Sequence, residues 1–303
     1  MHEPFYSPDT AINNAVGLIG LGLVGSALAE RFTSAGFELI GYDIDPQKVD
    51  ALTSLGMVPA QSPRQVAESS RRIVLSLPDS SVVDSVVEGT GGLLESSAEG
   101  HIIVDTTTAD PERSKALADR IRDRQLRFLD ATILGSSRQV RESEILLMVG
   151  GDSETLEACT DIFSTFASKI VHMGSNGKGA EAKLVVNLVL GLNRLVLAEG
   201  ILLGEKAGVD PRALLDVLRS GVAYSAVMDT KGEKMIAGDF AVEGKLEQHL
   251  KDVGLILDLG LRSGTKLPLS ALHSEILRSG IEQGYGPEDN SAVIKVLRNL
   301  SST

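Results

Sequence analysis

Two groups of residues in this sequence have types and spacings that could carry chemistry. The first is Gly20, Gly22 and Gly25, a G-x-G-x-x-G pattern at the point where an apolar run, AVGLIG, gives way to a helical pattern. The second is Lys183 with Asn187 four residues later, in KGAEAKLVVN. Glycines at this spacing suit a pyrophosphate, and a lysine of this kind suits proton transfer at a hydroxyl.

The context of the glycines is the one that a dinucleotide requires. The first glycine allows a tight turn, the second lets the backbone approach a pyrophosphate, and the third lets helix and strand pack closely. The N-terminus of the helix that follows adds N–H donors and a partial positive charge. A glycine-rich turn in an α/β domain without a nucleotide is the alternative, and the strand–turn–helix order favours the nucleotide.

Asp43 ends the next apolar run, ELIGYD, eighteen residues after Gly25. A carboxylate there can accept a hydrogen bond from the ribose 2′-hydroxyl of adenosine and repels a 2′-phosphate. No arginine lies between Asp43 and Lys48 to bind that phosphate. We therefore expect NAD in preference to NADP, with a cap or turn role for Asp43 as the alternative.

Lys183 is expected in the first two turns of a long helix that begins near Gly179, with Asn187 on the same face. The positive end of a helix and partial burial both disfavour an ammonium, so both lower the pKa of a lysine toward a useful range. Such a lysine can exchange a proton with a substrate hydroxyl, and the Asn187 amide can hold the same oxygen. A surface lysine at a domain junction fits the same pattern, and is its commoner interpretation.

Composition excludes several other classes of function. The chain has 303 residues, a formal charge of −12, 4% aromatic residues and no tryptophan, whereas nucleic-acid binders carry a basic face or stacking aromatics. The single cysteine, Cys159, excludes an intrachain disulfide and an all-cysteine metal cage. We expect neither a metal nor a nucleic-acid partner.

No secretory or membrane-spanning segment is expected. The start, MHEPFYSPDTAINN, has neither a basic region nor an apolar stretch of the required length. The apolar run at 184–204 is interrupted by Asn187, Asn193, Arg194 and Glu199, which favours a buried helix of a soluble protein. These features predict a cytoplasmic protein with no membrane partner.

The elements that must position these residues fall into two classes along the chain. Up to about residue 173, helical patterns alternate with six apolar, β-rich runs, at 15–20, 38–43, 72–77, 101–105, 145–150 and 169–173. Such alternation predicts a Rossmann-type α/β domain, with a doubly wound parallel sheet and helices on its faces. We assign this domain to residues 1–176, of which 1–13 form an N-terminal extension.

After GSNGKG (174–179) the strand pattern stops, and an all-α C-terminal domain is expected at 177–303. Helical patterns occupy 180–207, 210–220, 245–263, 268–283 and 288–300. Pro211 and Pro287 suit helix starts, because the first turn leaves its N–H groups unpaired in any case. Lys183 then stands at the junction of the two domains.

From Ala15 to Leu300 the chain resembles the β-hydroxyacid dehydrogenase family, which includes 3-hydroxyisobutyrate dehydrogenase and tartronate semialdehyde reductase. Six segments carry the resemblance: LIGLGLVGSALA (18–29), Leu77-Pro78 with Val82, DTTTADP (105–111), GSNGKGAEAKLVVN (174–187), the pair Lys251-Asp252, and GYGPEDNSA (284–292). Their spacings are kept over nearly the whole chain, so the match is specific.

The resemblance implies a role for each matching residue. Lys183 would be the general acid/base, and Asn187 would hold the substrate. Thr107 would border both the substrate and the nicotinamide. The expected cofactor contacts are Gly20, Leu21, Gly22, Leu23, Val24, Gly25, Asp43, Leu77, Pro78, Val82, Thr108 and Lys251. The family also implies a homodimer or homotetramer formed through the helical domain.

The departures from the family pattern fall around the substrate. The segment that binds the substrate carboxylate usually reads D-A-P-V-S-G-G and here is DATILGS (130–136). Leu134 and Ser136 replace a serine and a glycine, whereas Gly135 is kept, so a backbone N–H can still meet a carboxylate. Gly244 replaces an aromatic residue seven positions before Lys251. Either the pocket is reshaped around 134–136, or the changes are neutral drift.

These observations predict an NAD-dependent oxidoreductase that interconverts a 3-hydroxy acid and its aldehyde or ketone by hydride transfer. A small-molecule hydroxy acid or aldehyde is therefore the expected partner. Two alternatives remain open. One is a reductase of a different carbonyl or of an imine, suggested by the altered acid-binding loop. The other is an NAD-binding interaction protein that has lost turnover.

Overall fold

The computed structural model describes residues 14–301 and divides the chain into two compact units. The first unit ends at Lys183 and the second begins at Leu184. The predicted N-terminal extension, 1–13, lies outside the described residues. The division after Lys183 falls inside a long helix, Lys178–Lys206, rather than at the expected boundary near Gly177.

The first unit is built on one eight-stranded sheet. In spatial order its strands are β3 (Val58–Pro59), β2 (Glu38–Tyr42), β1 (Ala15–Ile19), β4 (Arg72–Leu75), β5 (Ile102–Asp105), β6 (Arg127–Leu134), β7 (Ile145–Gly151) and β8 (Ala167–Gly174). Every adjacent pair is parallel except β6 and β7. The doubly wound Rossmann-type fold is therefore confirmed, with one antiparallel step.

Helices follow most strands and cover the sheet. They are α1 (Leu23–Ser34), α2 (Pro46–Thr53), α3 (Pro63–Ser69), α4 (Ser80–Glu88), α5 (Pro111–Arg122), α6 (Ser137–Arg141), α7 (Ser153–Glu157) and α8 (Thr160–Phe163). Two apolar layers form the core. One contains Leu18, Phe32 and Val104, and the other contains Ile19, Ile73 and Leu117. Burial of the strands on both sides explains their near-continuous apolar sequence.

The sequence did not predict β6, because Asp130 and Thr132 interrupt its apolar run. Only the short helix α6 separates β6 from β7, so the chain turns back on itself and the two strands pair antiparallel. The two-residue strand β3 was also missed. Between β7 and β8 the chain forms the two short helices α7 and α8.

The second unit contains helices alone among its described elements, as expected. They are α9, which begins in the first unit (Lys178–Lys206), α10 (Pro211–Ser220), α11 (Val227–Ala237), α12 (Leu246–Arg262), α13 (Pro268–Glu282) and α14 (Val293–Leu300). Helix α11 was not predicted. The core includes Leu197, Ile201, Leu215, Val253 and Ile294.

Asp289 ties several parts of the helical unit together. Its fully buried carboxylate lies 3.0 Å from the Lys231 ammonium and accepts backbone N–H bonds from Glu243 and Gly244. Burial raises the pKa of Asp289, but hydrogen bonds from Ser291 and the charge of Lys231 outweigh it and hold the pKa at about 2. The segment GYGPEDNSA (284–292), which contains Asp289, therefore stabilises the packing of this unit.

Within residues 14–301, α9 is the one helix long and apolar enough to cross a membrane by those two criteria. Asn187 and Arg194 lie on it and are buried, with 6% and 5% of their surfaces exposed. The Asn187 amide is hydrogen-bonded to a residue of α12. A buried amide with a hydrogen-bond partner in the same unit is typical of a core helix.

Candidate active site

The glycine loop joins β1 to α1 in a conformation that depends on its glycines. Gly20 has φ +92° and donates its N–H to the Tyr42 carbonyl at 2.9 Å. A Cβ on Gly25 would lie 1.9 Å from the Gly20 carbonyl oxygen, so the third glycine allows helix and loop to touch. A Cβ on Gly22 would meet nothing within 4 Å. The space over the second glycine is therefore open to a ligand.

The N-terminus of α1 differs from most others in this unit. Gly22 occupies the cap position of α1 and supplies no side-chain hydrogen bond. Six neighbouring helices have a side-chain oxygen that accepts a first-turn N–H, from Asp45, Ser62, Asp79, Asp110, Ser136 and Asp152. An uncapped helix N-terminus is a binding site for the pyrophosphate of a dinucleotide.

Asp43 directly follows β2, at the same sheet edge as the glycine loop. Its carboxylate accepts the Leu21 N–H at 2.7 Å and the Asp45 N–H at 2.9 Å, and its side chain is 8% exposed. Lys48 Nζ lies 3.5 Å from the carboxylate. Asp43 therefore holds the glycine loop in place, a contact that the sequence did not indicate.

The residues expected near the nicotinamide follow β4 and β5. The Leu77 N–H donates to Thr107 Oγ1 at 3.2 Å, and the Thr107 N–H donates to Asp105 Oδ1 at 2.9 Å. Thr107 is buried and Thr108 is half-buried. Pro78 is exposed, and Val82 lies half-buried in the first turn of α4. A hydrogen bond therefore joins the segments that follow β4 and β5. Strand β4 neighbours β1, which precedes the glycine loop, at the switch point of the strand order.

Lys183 lies against the end of the next strand in the sheet, β6. Its ammonium donates to the Ile133 carbonyl oxygen at 2.7 Å. Three further contacts join β6 to the start of α9. Asp130 accepts the Gly177 N–H at 2.8 Å and the Ala180 N–H at 2.9 Å, and Thr132 Oγ1 donates to the Gly179 carbonyl at 3.0 Å.

The loop expected to bind a substrate carboxylate begins where β6 ends. Leu134 is half-buried, and a Cβ on Gly135 would lie 2.5 Å from Ile145 Cγ2. Ser136 caps α6, with its N–H donating to Gln139 Oε1 at 3.0 Å and its hydroxyl accepting the Gln139 N–H at 3.3 Å. The Ser136 hydroxyl therefore has a structural role, and its assignment to the substrate stays a prediction.

Asn187 and Lys251, the two site residues of the helical unit, meet at Asp252. Asn187 Nδ2 donates to Asp252 Oδ2 at 3.0 Å, and Lys251 Nζ lies 3.2 Å from Asp252 Oδ1. Both Asn187 and Asp252 are buried. Asp252 therefore fixes which way the Asn187 amide faces. The family resemblance included the Lys251-Asp252 pair, but nothing in the sequence indicated its contact with Asn187.

The donor set fits a dinucleotide better than a metal. The described residues contain no group of three or more His, Cys, Asp or Glu side chains that could hold a metal ion. Cys159 is a free and fully buried thiol, and burial raises its pKa to about 12. The open space over Gly22 and the uncapped end of α1 are the features that suit a pyrophosphate.

Two family models match most of the chain. Residues 15–174 match the family model of the NAD-binding domain of 6-phosphogluconate dehydrogenase. Residues 177–297 match the model described as NAD-binding of NADP-dependent 3-hydroxyisobutyrate dehydrogenase. The chain is 31% identical over 287 residues to 2-(hydroxymethyl)glutarate dehydrogenase of Eubacterium barkeri, covering 94% of this chain and 95% of that protein.

Two further relatives cover similar lengths. The chain is 31% identical to 2-hydroxy-3-oxopropionate reductase of Escherichia coli K12, over 95% of this chain and 98% of that one. A crystal structure of 3-hydroxyisobutyrate dehydrogenase from Salmonella typhimurium has a TM-score of 0.86 at 25% identity, covering 93% of this chain and 99% of that one.

The fold and these relatives define a nicotinamide-dependent oxidoreductase of hydroxy acids. One family model matches the Rossmann-type unit, and the other matches the helical part of the chain. The chain belongs to the β-hydroxyacid dehydrogenase family. The family resemblance of the sequence is thereby confirmed.

Proposed function

We propose that this protein is an NAD-preferring dehydrogenase or reductase that interconverts a 3-hydroxy acid and its aldehyde or ketone, with Lys183 as general acid/base. One observation carries the proposal. The carboxyl ends of β2, β1, β4, β5 and β6 are neighbours in the sheet and hold, in that order, Asp43, the glycine loop, Leu77, Thr107 and the partner of Lys183. This order supports a dinucleotide laid along the edge with its nicotinamide toward the lysine.

Lys183 supplies the proton chemistry in this proposal. When bound, the nicotinamide gives or takes the hydride at the substrate carbon. In reduction Lys183 gives a proton to the carbonyl oxygen, and in oxidation it takes the proton from the hydroxyl. The Ile133 carbonyl accepts one of the three N–H bonds of the ammonium and so orients the group.

Asn187 is proposed to hold the same substrate oxygen. It lies four residues after Lys183 on one helix, so the two side chains project from the same face. Because Asp252 accepts from Nδ2, the amide orientation is fixed before a substrate arrives. A fixed amide costs less conformational entropy at the moment of binding than a rotating one.

The preference for NAD rests on Asp43. Its carboxylate sits at the end of β2 beside the glycine loop, where a 2′-phosphate would be repelled, and the adjacent Ile44 is 89% exposed and uncharged. Lys48 supports the second candidate, NADP, because its ammonium lies 3.5 Å from Asp43 and can bind a phosphate. Titration of both cofactors into Asp43→Asn and Lys48→Ala variants separates the two.

The substrate pocket is proposed to be more apolar near the acid group and more open near Gly244 than in the usual family pattern. Leu134 brings an alkyl group where a hydroxyl is usual, and Ser136 is committed to the cap of α6. Gly244 has no side chain where an aromatic ring is usual, and its N–H donates to Asp289. A bulkier hydroxy acid is the substrate class that this pocket would accept.

The helical unit is proposed to form a homodimer or a homotetramer. Val185, Val189, Val196 and Leu203 recur every four or seven residues on α9 and are between 52% and 70% exposed. An apolar seam with this period favours packing against a second helix. Light scattering of the Val196→Lys variant should show a smaller particle than the wild type, and an unchanged mass would contradict the proposal.

The proposed function is tested with a panel of hydroxy acids, aldehydes, ketones and imines followed by NADH absorbance, with and without a carboxylate on the substrate. We expect turnover with a bulky 3-hydroxy acid or its aldehyde, and its loss in Lys183→Ala. Lys178→Ala is the matched control, because Lys178 lies on the same helix but is exposed and paired with Glu181. Turnover with imines alone would favour the alternative function, a reductase of imines. NADH binding without any turnover would favour the interaction protein.

A further inference from the structure

We propose that Asp130 is the residue that positions Lys183, by fixing the first turn of α9 on β6 and by placing a negative charge at the positive end of that helix. The inference rests on the proposed function, because it assigns Asp130 a role through the general acid/base. Asp130 touches neither substrate nor cofactor in this account, so it is a positioning residue.

The geometry of the junction is specific to Asp130. One carboxylate oxygen accepts the Gly177 N–H at 2.8 Å and the other accepts the Ala180 N–H at 2.9 Å. These N–H groups belong to the start of α9, where a helix has no internal acceptors for them. Three residues later on the same strand, the Ile133 carbonyl accepts from Lys183. One short segment of β6 therefore holds both the helix start and the ammonium.

Two glycines enclose the carboxylate. A Cβ on Gly150 would lie 2.6 Å from Asp130 Oδ2, and a Cβ on Gly179 would lie 2.9 Å from the same oxygen. Asp130 itself is 1% exposed. A side chain at either glycine would therefore collide with the carboxylate.

This cap is unlike the other side-chain caps of the unit. Asp45, Asp79 and Asp110 each cap the helix that directly follows them. Asp130 accepts N–H groups that lie 47 and 50 positions later in the chain. Burial raises the pKa of Asp130, and the N–H groups of Gly177 and Ala180 oppose that rise. The fold therefore accepts a desolvated carboxylate at this point, at the start of α9.

The charge has a definite effect on Lys183. The positive end of α9 disfavours an ammonium one turn away, and an ionised Asp130 offsets that end. Lys183 is then kept protonated to a higher pH, as an acid that must protonate a carbonyl oxygen requires. Loss of the charge should let Lys183 lose its proton at a lower pH.

Other charged groups stand around this junction and must stay constant in a test. Asp105 on β5 is the register partner of Asp130, and Lys115 on α5 lies near Gly177. Lys178 and Glu181 on α9 pair with each other, and β7 presents Gly150. Asp130 is the group that accepts the Gly177 and Ala180 N–H bonds at the start of α9.

Thr132→Val is the matched control for Asp130→Asn. Thr132 is fully buried on the same strand and donates to Gly179 of the same helix turn, but it carries no charge. Both variants loosen the same junction, and only Asp130→Asn removes a charge. Asp130→Ser keeps an oxygen acceptor without the charge, and replaces Asp130→Asn if circular dichroism shows that the latter does not fold.

The experiment measures Lys183 without a substrate, in the full chain. Lysines are reductively methylated with ¹³C-formaldehyde and a borane or cyanoborohydride reductant. The Lys183 signal is assigned by its loss in Lys183→Arg, and its NMR titration midpoint is measured for each variant. We expect Asp130→Asn to move the midpoint down by roughly one pH unit. Thr132→Val should leave it within the error of the wild type.

Two results would overturn the proposal. One is an unchanged midpoint in Asp130→Asn, and the other is the same shift in Thr132→Val, which would show packing alone at work. With a substrate identified, kcat for reduction in Asp130→Asn should also fall off at a lower pH, with KM unchanged. Because the titration needs no turnover, failure of the proposed function leaves the test of Asp130 readable.

Discussion

The N-termini of α1 and α9 show two opposite uses of the same physical feature. Both helices leave their first N–H groups without internal acceptors and carry a partial positive charge there. At α1 the cap position is Gly22, with no side-chain acceptor and open space above it. At α9 the acceptor is the buried carboxylate of Asp130.

The two helix N-termini therefore serve different roles, cofactor binding at α1 and the positioning of Lys183 at α9. An open helix end attracts an anion from outside the chain, such as the pyrophosphate of a dinucleotide. A closed one has its anion built in, so it holds its own helix, and with it Lys183, in a fixed place. Both ends lie in the first unit, on the edge of the sheet where the parallel strands terminate.

The largest effect is expected at the closed end. Lys183→Met removes the only proposed proton donor but leaves α1 untouched, so kcat should fall by roughly 10²- to 10⁴-fold with the NADH dissociation constant unchanged. Steady-state rates and an NADH fluorescence titration measure the two quantities. Lys178→Met should behave as the wild type. A fall in NADH affinity equal to the fall in kcat would show that the two ends are not separable.

A smaller effect is expected at the open end. Gly22→Ala places a methyl group in the space assigned to the pyrophosphate, and we expect NADH affinity to fall by about 10- to 100-fold, a free-energy change of about 1.4 to 2.7 kcal/mol. The melting temperature should stay the same, because that Cβ meets nothing within 4 Å in the protein.

Gly36→Ala gives the reverse control for Gly22. Gly36 has φ +85° after α1, where a side chain adds strain but no ligand is expected. It should lower the melting temperature and leave NADH affinity unchanged. The comparison of helix ends fails if Gly22→Ala and Gly36→Ala lower stability and affinity alike.

The next effect concerns which anion the open end accepts. Asp43→Asn removes a negative charge beside the loop, and the preference for NADH over NADPH should drop by about tenfold, or about 1.4 kcal/mol. Lys48→Ala should move the preference in the other direction. Parallel titrations with both cofactors measure it, and an unchanged ratio in Asp43→Asn would remove Asp43 as the discriminator.

The smallest effect is a pH dependence of stability at the closed end. Because burial raises the folded-state pKa of Asp130, the folded state binds this proton more tightly than the unfolded chain does. Its contribution to stability is therefore present at low pH and lost as pH rises through the folded-state pKa. Urea unfolding measures the free energy of unfolding of the wild type and of Asp130→Asn. We expect the value for the variant to increase relative to that of the wild type as pH rises. The opposite slope would contradict the raised pKa.

The open end of α1 could be predicted from the sequence because every residue that forms it lies within one strand–turn–helix unit. The closed end could not. Asp130 and Gly177 are 47 residues apart. The strand that carries Asp130, β6, was not predicted, because polar residues interrupt its apolar run. Asn187 and Asp252 are 65 residues apart. Local pattern predicts which residues carry chemistry, whereas these partners appear only when the sheet and the helices bring them together.

The structure of the protein with NADH bound tests the central claim most directly. We expect the pyrophosphate oxygens to accept N–H bonds from the first turn of α1, and the nicotinamide to lie beside Thr107 and Lys183. The first N–H groups of α9 should still be held by Asp130, with no phosphate there. A pyrophosphate bound away from α1, or bound at the start of α9 in place of Asp130, would contradict the account.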